Sequence, residues 1–281
     1  MYEQRVAIIG SGLMGSGIAQ VSATAGYNTM LYDINVDALS TAKERIHTLL
    51  NRKVEKAKLS SVEASAIEDN LLYITDIKEL VQADIIIEAV PEDFSLKCKV
   101  LSSLAQDSDQ NEAIIVTNTS SFNIDDLATC VTPERFMGLH FFYPAPVMKL
   151  IELIPGAYTS DATFNAISNF AESLGKIVVV APNQPGFIVN RLIVPFENEA
   201  AYLVMEGADP TSVDTAMKFG CNHPMGPLEL LDFTGIDTVY SAMNNLYREF
   251  GDKKYKPCPL LKEMIDTGRL GKKSGRGFYE Y

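Results

Sequence analysis

A chain of 281 residues, 47% hydrophobic and 21% charged, can bury a full core and is expected to fold as two domains, which excludes a disordered chain. Its net charge of -12 repels nucleic acid and anionic membrane surfaces, so an anionic ligand must meet locally concentrated positive groups. Cys98, Cys130, Cys221 and Cys258 form no CxxC pair, so reduced thiols are expected, with neither a metal site nor a disulfide framework. No segment approaches the ~20 apolar residues of a membrane span, and MYEQRVAII lacks a basic stretch followed by a long apolar run. A cytoplasmic location is therefore expected.

RVAII, residues 5–9, reads as a buried strand that runs straight into Gly10, Ser11, Gly12, Leu13, Met14 and Gly15. This is GxGxxG at a strand-to-helix junction. Gly10 permits the tight turn, Gly12 lets backbone approach a pyrophosphate, and Gly15 lets the following helix lie close to the strand. The helix N-terminus offers N–H groups and a positive dipole end to phosphates. A second strand, NTMLY, closes with Asp33, 18 positions after Gly15, where a carboxylate accepts from an adenosine ribose and repels a 2′-phosphate. NAD is therefore favoured over NADP; a flavin or methyl-donor site with similar turn chemistry is the alternative.

Residues 36–70 read as a helical hairpin projecting from the sheet, longer than a single crossover helix. It carries Arg52, Lys53, Lys56 and Lys58, with Lys53 and Lys56 on one helix face. This basic patch is either a solvated face laced with Glu44 and Glu55 or a landing site for a phosphate-bearing substrate tail.

LLYIT, ADIIIEAV and AIIVTNTSS continue a parallel sheet with helices on both faces. Ligands on such sheets collect at strand carboxyl ends, which makes Glu92, Lys97 and the run Thr117–Ser121 candidates. Glu92 reads equally as a helix-start carboxylate or a ribose contact. Of the two serines, Ser121 is assigned to capping the helix FNIDDLATC and Ser120 to function.

His140 ends the strand RFMGLHFF, and Glu152 lies in the next strand, VMKLIELIP. A carboxylate in so apolar a strand needs a donor, and His140, twelve positions upstream across the turn YPAPVM, suits two strands meeting side by side. A His–Glu pair can take a hydroxyl proton as a hydride leaves the same carbon; the alternative is an ion pair that only ties two strands. After KIVVVAP, NQP marks a joint. A long helix, GFIVNRLIVPFENEAAYLVMEG, follows with Pro195 expected to kink it, and further helices complete an all-helical domain. Asn190, in its first turns, reads either as a cleft-facing amide or as a surface one.

The expected fold class is thus α/β: an N-terminal Rossmann doubly wound sheet with a helical-hairpin insertion (residues 1–183, hairpin about 36–70), plus a C-terminal all-α domain (184–281) for the substrate cleft and dimerisation.

GSGLMGSGIAQVSATAGY, TNTSS, GLHFFYPAPVMKLIELI, PGFIVNRLIVP, NHPMGPLELLD and GKKSGRGFYEY together resemble the L-3-hydroxyacyl-CoA dehydrogenases, with the short-chain 3-hydroxybutyryl-CoA enzymes nearest, across essentially the whole chain. The resemblance implies NAD-dependent interconversion of 3-hydroxyacyl-CoA and 3-oxoacyl-CoA, in fatty-acid or butyrate metabolism, by a stand-alone homodimer joined through the helical domain. It implies His140 as acid/base, Glu152 as its partner, and Ser120 and Asn190 as donors to the reacting oxygen. Glu92, Lys97, Ser120 and Lys273 join Gly10, Ser11, Gly12, Leu13, Met14, Gly15 and Asp33 around the cofactor. Lys53, Lys56 and Ser120 face the coenzyme A substrate. One departure stands out: the family's HFFNP here has Tyr143 in place of asparagine, which bears on the hydrogen bonding behind the histidine. The competing readings are a same-fold dehydrogenase of a free hydroxy acid and a non-catalytic structural or binding relative; intact His140, Glu152, Ser120 and Asn190 count against the latter.

Overall fold

The computed structural model describes residues 4–106 and 113–281, and the chain divides into two compact units, residues 1–183 and 184–281. In the first unit, β1 (Arg5–Ile9) leads into α1 (Leu13–Thr24), β2 (Asn28–Tyr32), α2 (Val36–Glu55), α3 (Ser61–Asp69), β3 (Leu71–Ile74), β4 (Ile85–Glu88) and α4 (Phe94–Gln106). Then come β5 (Ile114–Thr117), α5 (Ile124–Ala128), β6 (Phe136–Phe141), β7 (Leu150–Pro155), α6 (Asp161–Ser173) and β8 (Ile177–Val180). Among the described residues eight strands form one sheet, ordered β3-β2-β1-β4-β5-β6-β7-β8, with every pairing parallel except β6 against β7. The central strands are continuous apolar runs because both faces are covered: Val6, Ile8, Ile87, Val116 and Leu139 are fully buried. The strand order reverses between β1 and β4. There the last residues of three strands align in register, Ile9 beside Glu88 and Glu88 beside Thr117. This is the switch point at which open α/β sheets bind ligands.

The hairpin forms. Asn35 caps α2 by accepting from the Asp37 and Ala38 amides, and Ser60 with Glu63 makes a capping box at the start of α3. Its inner faces are packed: Ile46, Leu50, Ala64 and Ile67 close on Ala23 of α1, each large side chain contributing about 1.5–3 kcal/mol of apolar burial. Helix α2 ends at Glu55, and Lys56 is its C-cap, its amide still donating to the Arg52 carbonyl before Ala57 at φ +52° turns the chain away.

In the second unit α7 (Val189–Met205), α8 (Pro210–Gly220), α9 (Pro227–Thr234), α10 (Ile236–Phe250) and α11 (Pro259–Asp266) enclose a core of Val194, Ala201, Leu231, Val239, Met243, Leu246 and Leu261. Helix α7 starts three residues later than the sequence predicts because Gly186 and Phe187 take positive φ, +77° and +49°, which no right-handed helix accommodates. It runs on through Pro195 to Met205, held by the buried side of Val194, Asn198 and Ala201. Residues 271–281 form a bridged hook around the buried Asp232, whose carboxylate accepts from the Phe278 and Tyr279 amides. No helix among the described residues is long and apolar enough to cross a membrane.

Candidate active site

The turn after β1 is built as its spacing demands. A Cβ on Gly15 would lie 1.7 Å from the Gly10 carbonyl oxygen, so α1 can begin where it does only with glycine there. Gly10 itself has φ +100°. Beyond its immediate chain neighbours, no atom of the described residues lies within 4 Å of where a Gly12 Cβ would stand, so a side chain there would fill only the space before the helix N-terminus. Such a cradle fits a pyrophosphate. The Asp33 carboxylate accepts from both the amide and the hydroxyl of Ser11 at 2.8 Å and from the Asn35 amide at 2.9 Å, which ties the end of β2 to the glycine turn. Leu13, in the first turn of α1, is 56% exposed, an apolar side chain left at the rim of that cradle.

His140 and Glu152 are direct partners across the antiparallel β6–β7 pair, and His140 Nδ1 lies 2.7 Å from Glu152 Oε2. Both are buried, Glu152 completely. Placing them on two strands fixes their separation by register, so neither can leave the other without breaking the ladder. His140 stands two residues beyond Gly138, the partner of Thr117 at the end of β5. It therefore belongs to the same carboxyl edge as the glycine turn. The Phe142 ring lies 4.5 Å from the imidazole, centroid to centroid. Tyr143, at the family's asparagine position, is 54% exposed.

Between these two features runs a polar network that the sequence discloses only in part. Glu92 Oε1 accepts from Thr119 Oγ1 (2.6 Å), from the amide (2.9 Å) and hydroxyl (3.2 Å) of Ser120, and from the amide (3.1 Å) and hydroxyl (2.9 Å) of Ser121. Burial alone would raise the Glu92 carboxyl; the Lys97 charge and these hydrogen bonds outweigh it and hold the group below its ordinary range. Ser121 is thus a Glu92 donor and not the cap of α5. That cap is Asn123, which accepts from the Asp125 amide. Lys97, implied as a cofactor residue, is fully buried: its ammonium donates to Glu88 Oε1 and Oε2 at 2.8 and 3.0 Å, with Glu92 Oε2 at 3.3 Å. It stands behind Glu92 with no exposed surface of its own. Glu88, to whose Oε2 the candidate Thr117 donates at 2.5 Å, is the residue that sequence reasoning missed. The available signal was an acid terminating the apolar run IIIE.

On the hairpin, Lys53 is half-buried and Arg52, Lys56 and Lys58 are exposed. Lys176 adds a cation that the sequence did not single out. Its ammonium donates to the Ala145 and Met148 carbonyls at 2.6 and 2.7 Å, and burial first, then the charge of Lys53, lower its pKa. Lys53 is therefore close enough for its charge to be felt at the β6–β7 connection. In the second unit, Asn190 is half-buried at the second position of α7, and Lys273 pairs with Asp237 at 2.5 and 2.7 Å. The four cysteines are unoxidised, and burial followed by a hydrogen bond with Cys130 pushes Cys98 up to about 12, so it is no thiolate nucleophile.

A Rossmann sheet with its glycine turn intact and a buried His–Glu pair on the same carboxyl edge defines the dinucleotide-dependent oxidoreductase class. Residues 5–184 match the family described as 3-hydroxyacyl-CoA dehydrogenase, NAD binding domain, and residues 186–281 match its C-terminal domain. A probable 3-hydroxybutyryl-CoA dehydrogenase of Bacillus subtilis is 42% identical over 100% of this chain and 98% of its own. The crystal structure of (S)-3-hydroxybutyryl-CoA dehydrogenase PaaH1 from Ralstonia eutropha superposes with a TM-score of 0.94 at 42% identity, covering 99% of both chains. That of Mycobacterium tuberculosis FadB2 gives 0.96 at 39% identity, again covering 99% of both. The chain belongs to the 3-hydroxyacyl-CoA dehydrogenase family.

Proposed function

We propose that this chain interconverts (S)-3-hydroxyacyl-CoA and 3-oxoacyl-CoA with NAD and NADH, with 3-hydroxybutyryl-CoA as the substrate. The observation that carries the reading is the 2.7 Å pair of His140 and Glu152 on the carboxyl edge of a sheet whose first turn is built for a dinucleotide. The bound nicotinamide supplies the hydride acceptor and donor. The protein moves the proton. In the oxidative direction Nε2 of neutral His140 takes the 3-hydroxyl proton, while Glu152 on Nδ1 fixes the tautomer and stabilises the imidazolium that forms. In the reductive direction the imidazolium returns the proton to the 3-oxo oxygen.

Ser120 donates to the reacting oxygen in this reading, its hydroxyl turning from the 3.2 Å contact with Glu92 to do so, and Glu92 serves the cofactor together with Gly10, Ser11, Gly12, Leu13, Met14, Gly15 and Asp33. Asn190 and Lys273 enter on the family resemblance, as a donor to the reacting oxygen and as a cofactor residue. Lys53 and Lys56 receive the phosphates of coenzyme A, with Lys176 supporting the positive field around Lys53. Two copies associate through the helical unit, where Leu192, Leu203, Met205 and Phe219 leave apolar surface exposed.

The decisive experiment follows NADH absorbance with 3-oxoacyl-CoA thioesters of increasing length, with free coenzyme A as competitor. Turnover highest at four carbons and inhibited by coenzyme A is expected. Equal turnover of free 3-oxo acids, without that inhibition, would transfer the assignment to a hydroxy-acid dehydrogenase. Sedimentation at micromolar concentration tests the dimer; a monomer there removes it.

A further inference from the structure

Glu88 is an acid at the end of an all-apolar strand, completely buried, and its two oxygens take four hydrogen bonds: two from Lys97, one from the Thr117 hydroxyl and one from the Val90 amide. A buried ion pair of this kind is weak evidence for stability, since desolvating two charges offsets most of their attraction. What it does accomplish here is geometric. Lys97 reaches Glu92 Oε2 at 3.3 Å, while Glu92 Oε1 gathers Thr119, Ser120 and Ser121. A continuous chain of charge-assisted contacts thus leads from the aligned ends of β1, β4 and β5 to the turn that carries Ser120.

We propose that Glu88 and Lys97 are positioning residues that touch neither cofactor nor substrate, a buried pair that aims the Glu92 carboxylate and through it the Thr119–Ser121 turn. Lys97 has no exposed surface, and its ammonium, with three protons to give, has both Glu88 oxygens, Glu92 and, at 3.4 Å, the Val90 carbonyl around it. It has nothing left to offer a ligand. Glu92, by contrast, keeps a side chain 32% exposed, so it is the member of the chain that meets solvent and ligand. The inference rests on the reading of Glu92 as a cofactor residue.

The test is a double-mutant cycle read by NADH fluorescence titration of the whole protein. Lys97→Met is expected to weaken NADH binding about tenfold in the otherwise unchanged protein and less than about twofold in Glu92→Gln, because Lys97 acts only through Glu92. Lys97→Met leaves Glu88 buried without its cation and can fail to fold. The Glu88→Gln/Lys97→Met pair removes both charges together and provides the second arm, with the same loss and the same disappearance in Glu92→Gln. Equal losses in both backgrounds would make Lys97 a direct ligand or a purely structural group and overturn the proposal. An unchanged NADH affinity in Glu92→Gln alone would overturn the cofactor reading of Glu92 and this proposal with it, leaving the His140 assignment standing.

Discussion

Glu152 in β7 and Glu197 in α7 are both almost completely withdrawn from solvent, at 0% and 2% exposure, yet the protein treats them differently. Glu152 has an imidazole set opposite it by strand register. Glu197 has burial alone, which pushes its carboxyl up to about 8. The first is an acid to which the backbone supplies a partner, and the second is an acid that the fold holds protonated. Burial by itself therefore says little about function; burial with a partner placed by the backbone says much.

The comparison breaks most visibly at the histidine. His140→Ala is expected to lower kcat about a thousandfold or more while NADH affinity stays within about twofold, measured by steady-state absorbance and by titration. Retained turnover would sink the acid–base assignment. Glu152→Ala leaves the imidazole side of a buried pair without its acid and should cost about 3–5 kcal/mol of stability in denaturant melts. A change under about 1 kcal/mol would mean that the pair is not buried as described.

Glu197 is expected to show the opposite sign. Its folded pKa lies above that of the unfolded chain, so the folded state holds the proton longer. The contribution to stability is full below the unfolded value near 4.5 and is lost as pH rises toward about 8. Glu197→Leu should therefore stabilise the protein, by about 2–3 kcal/mol at pH 7 and by much less at pH 5. Melting curves at the two pH values check it, and destabilisation at both would show the carboxyl to be needed. The smallest effect is expected at a partly exposed acid, Asp33: replacing it with Ala should erode the preference for NADH over NADPH about tenfold, seen in paired kinetics.

How far these sites were legible depended on whether their cause was local. The glycine turn reads directly because each glycine answers a backbone requirement within a few residues, as the 1.7 Å approach at Gly15 shows. His140 and Glu152 were legible because a short strand-to-strand connection nearly fixes their pairing. Ser121 was misassigned because several polar residues in a row can each cap a helix, and only tertiary structure decides that Asn123 does so while Ser121 turns to Glu92. The end of α2 was not marked, since nothing local signals the positive φ at Ala57. Glu88 and Thr117 are 29 residues apart and become neighbours only when β4 and β5 pair, a juxtaposition to which neither residue's own segment points.

The antiparallel β6–β7 ladder has a consequence for how the enzyme can evolve. One residue added or lost inside either strand would turn the imidazole or its acid toward the opposite face of the sheet, separating the pair at a stroke. Substitutions in the connection at residues 142–149 leave that alignment undisturbed. The strands on either side are therefore expected to admit substitution but not insertion.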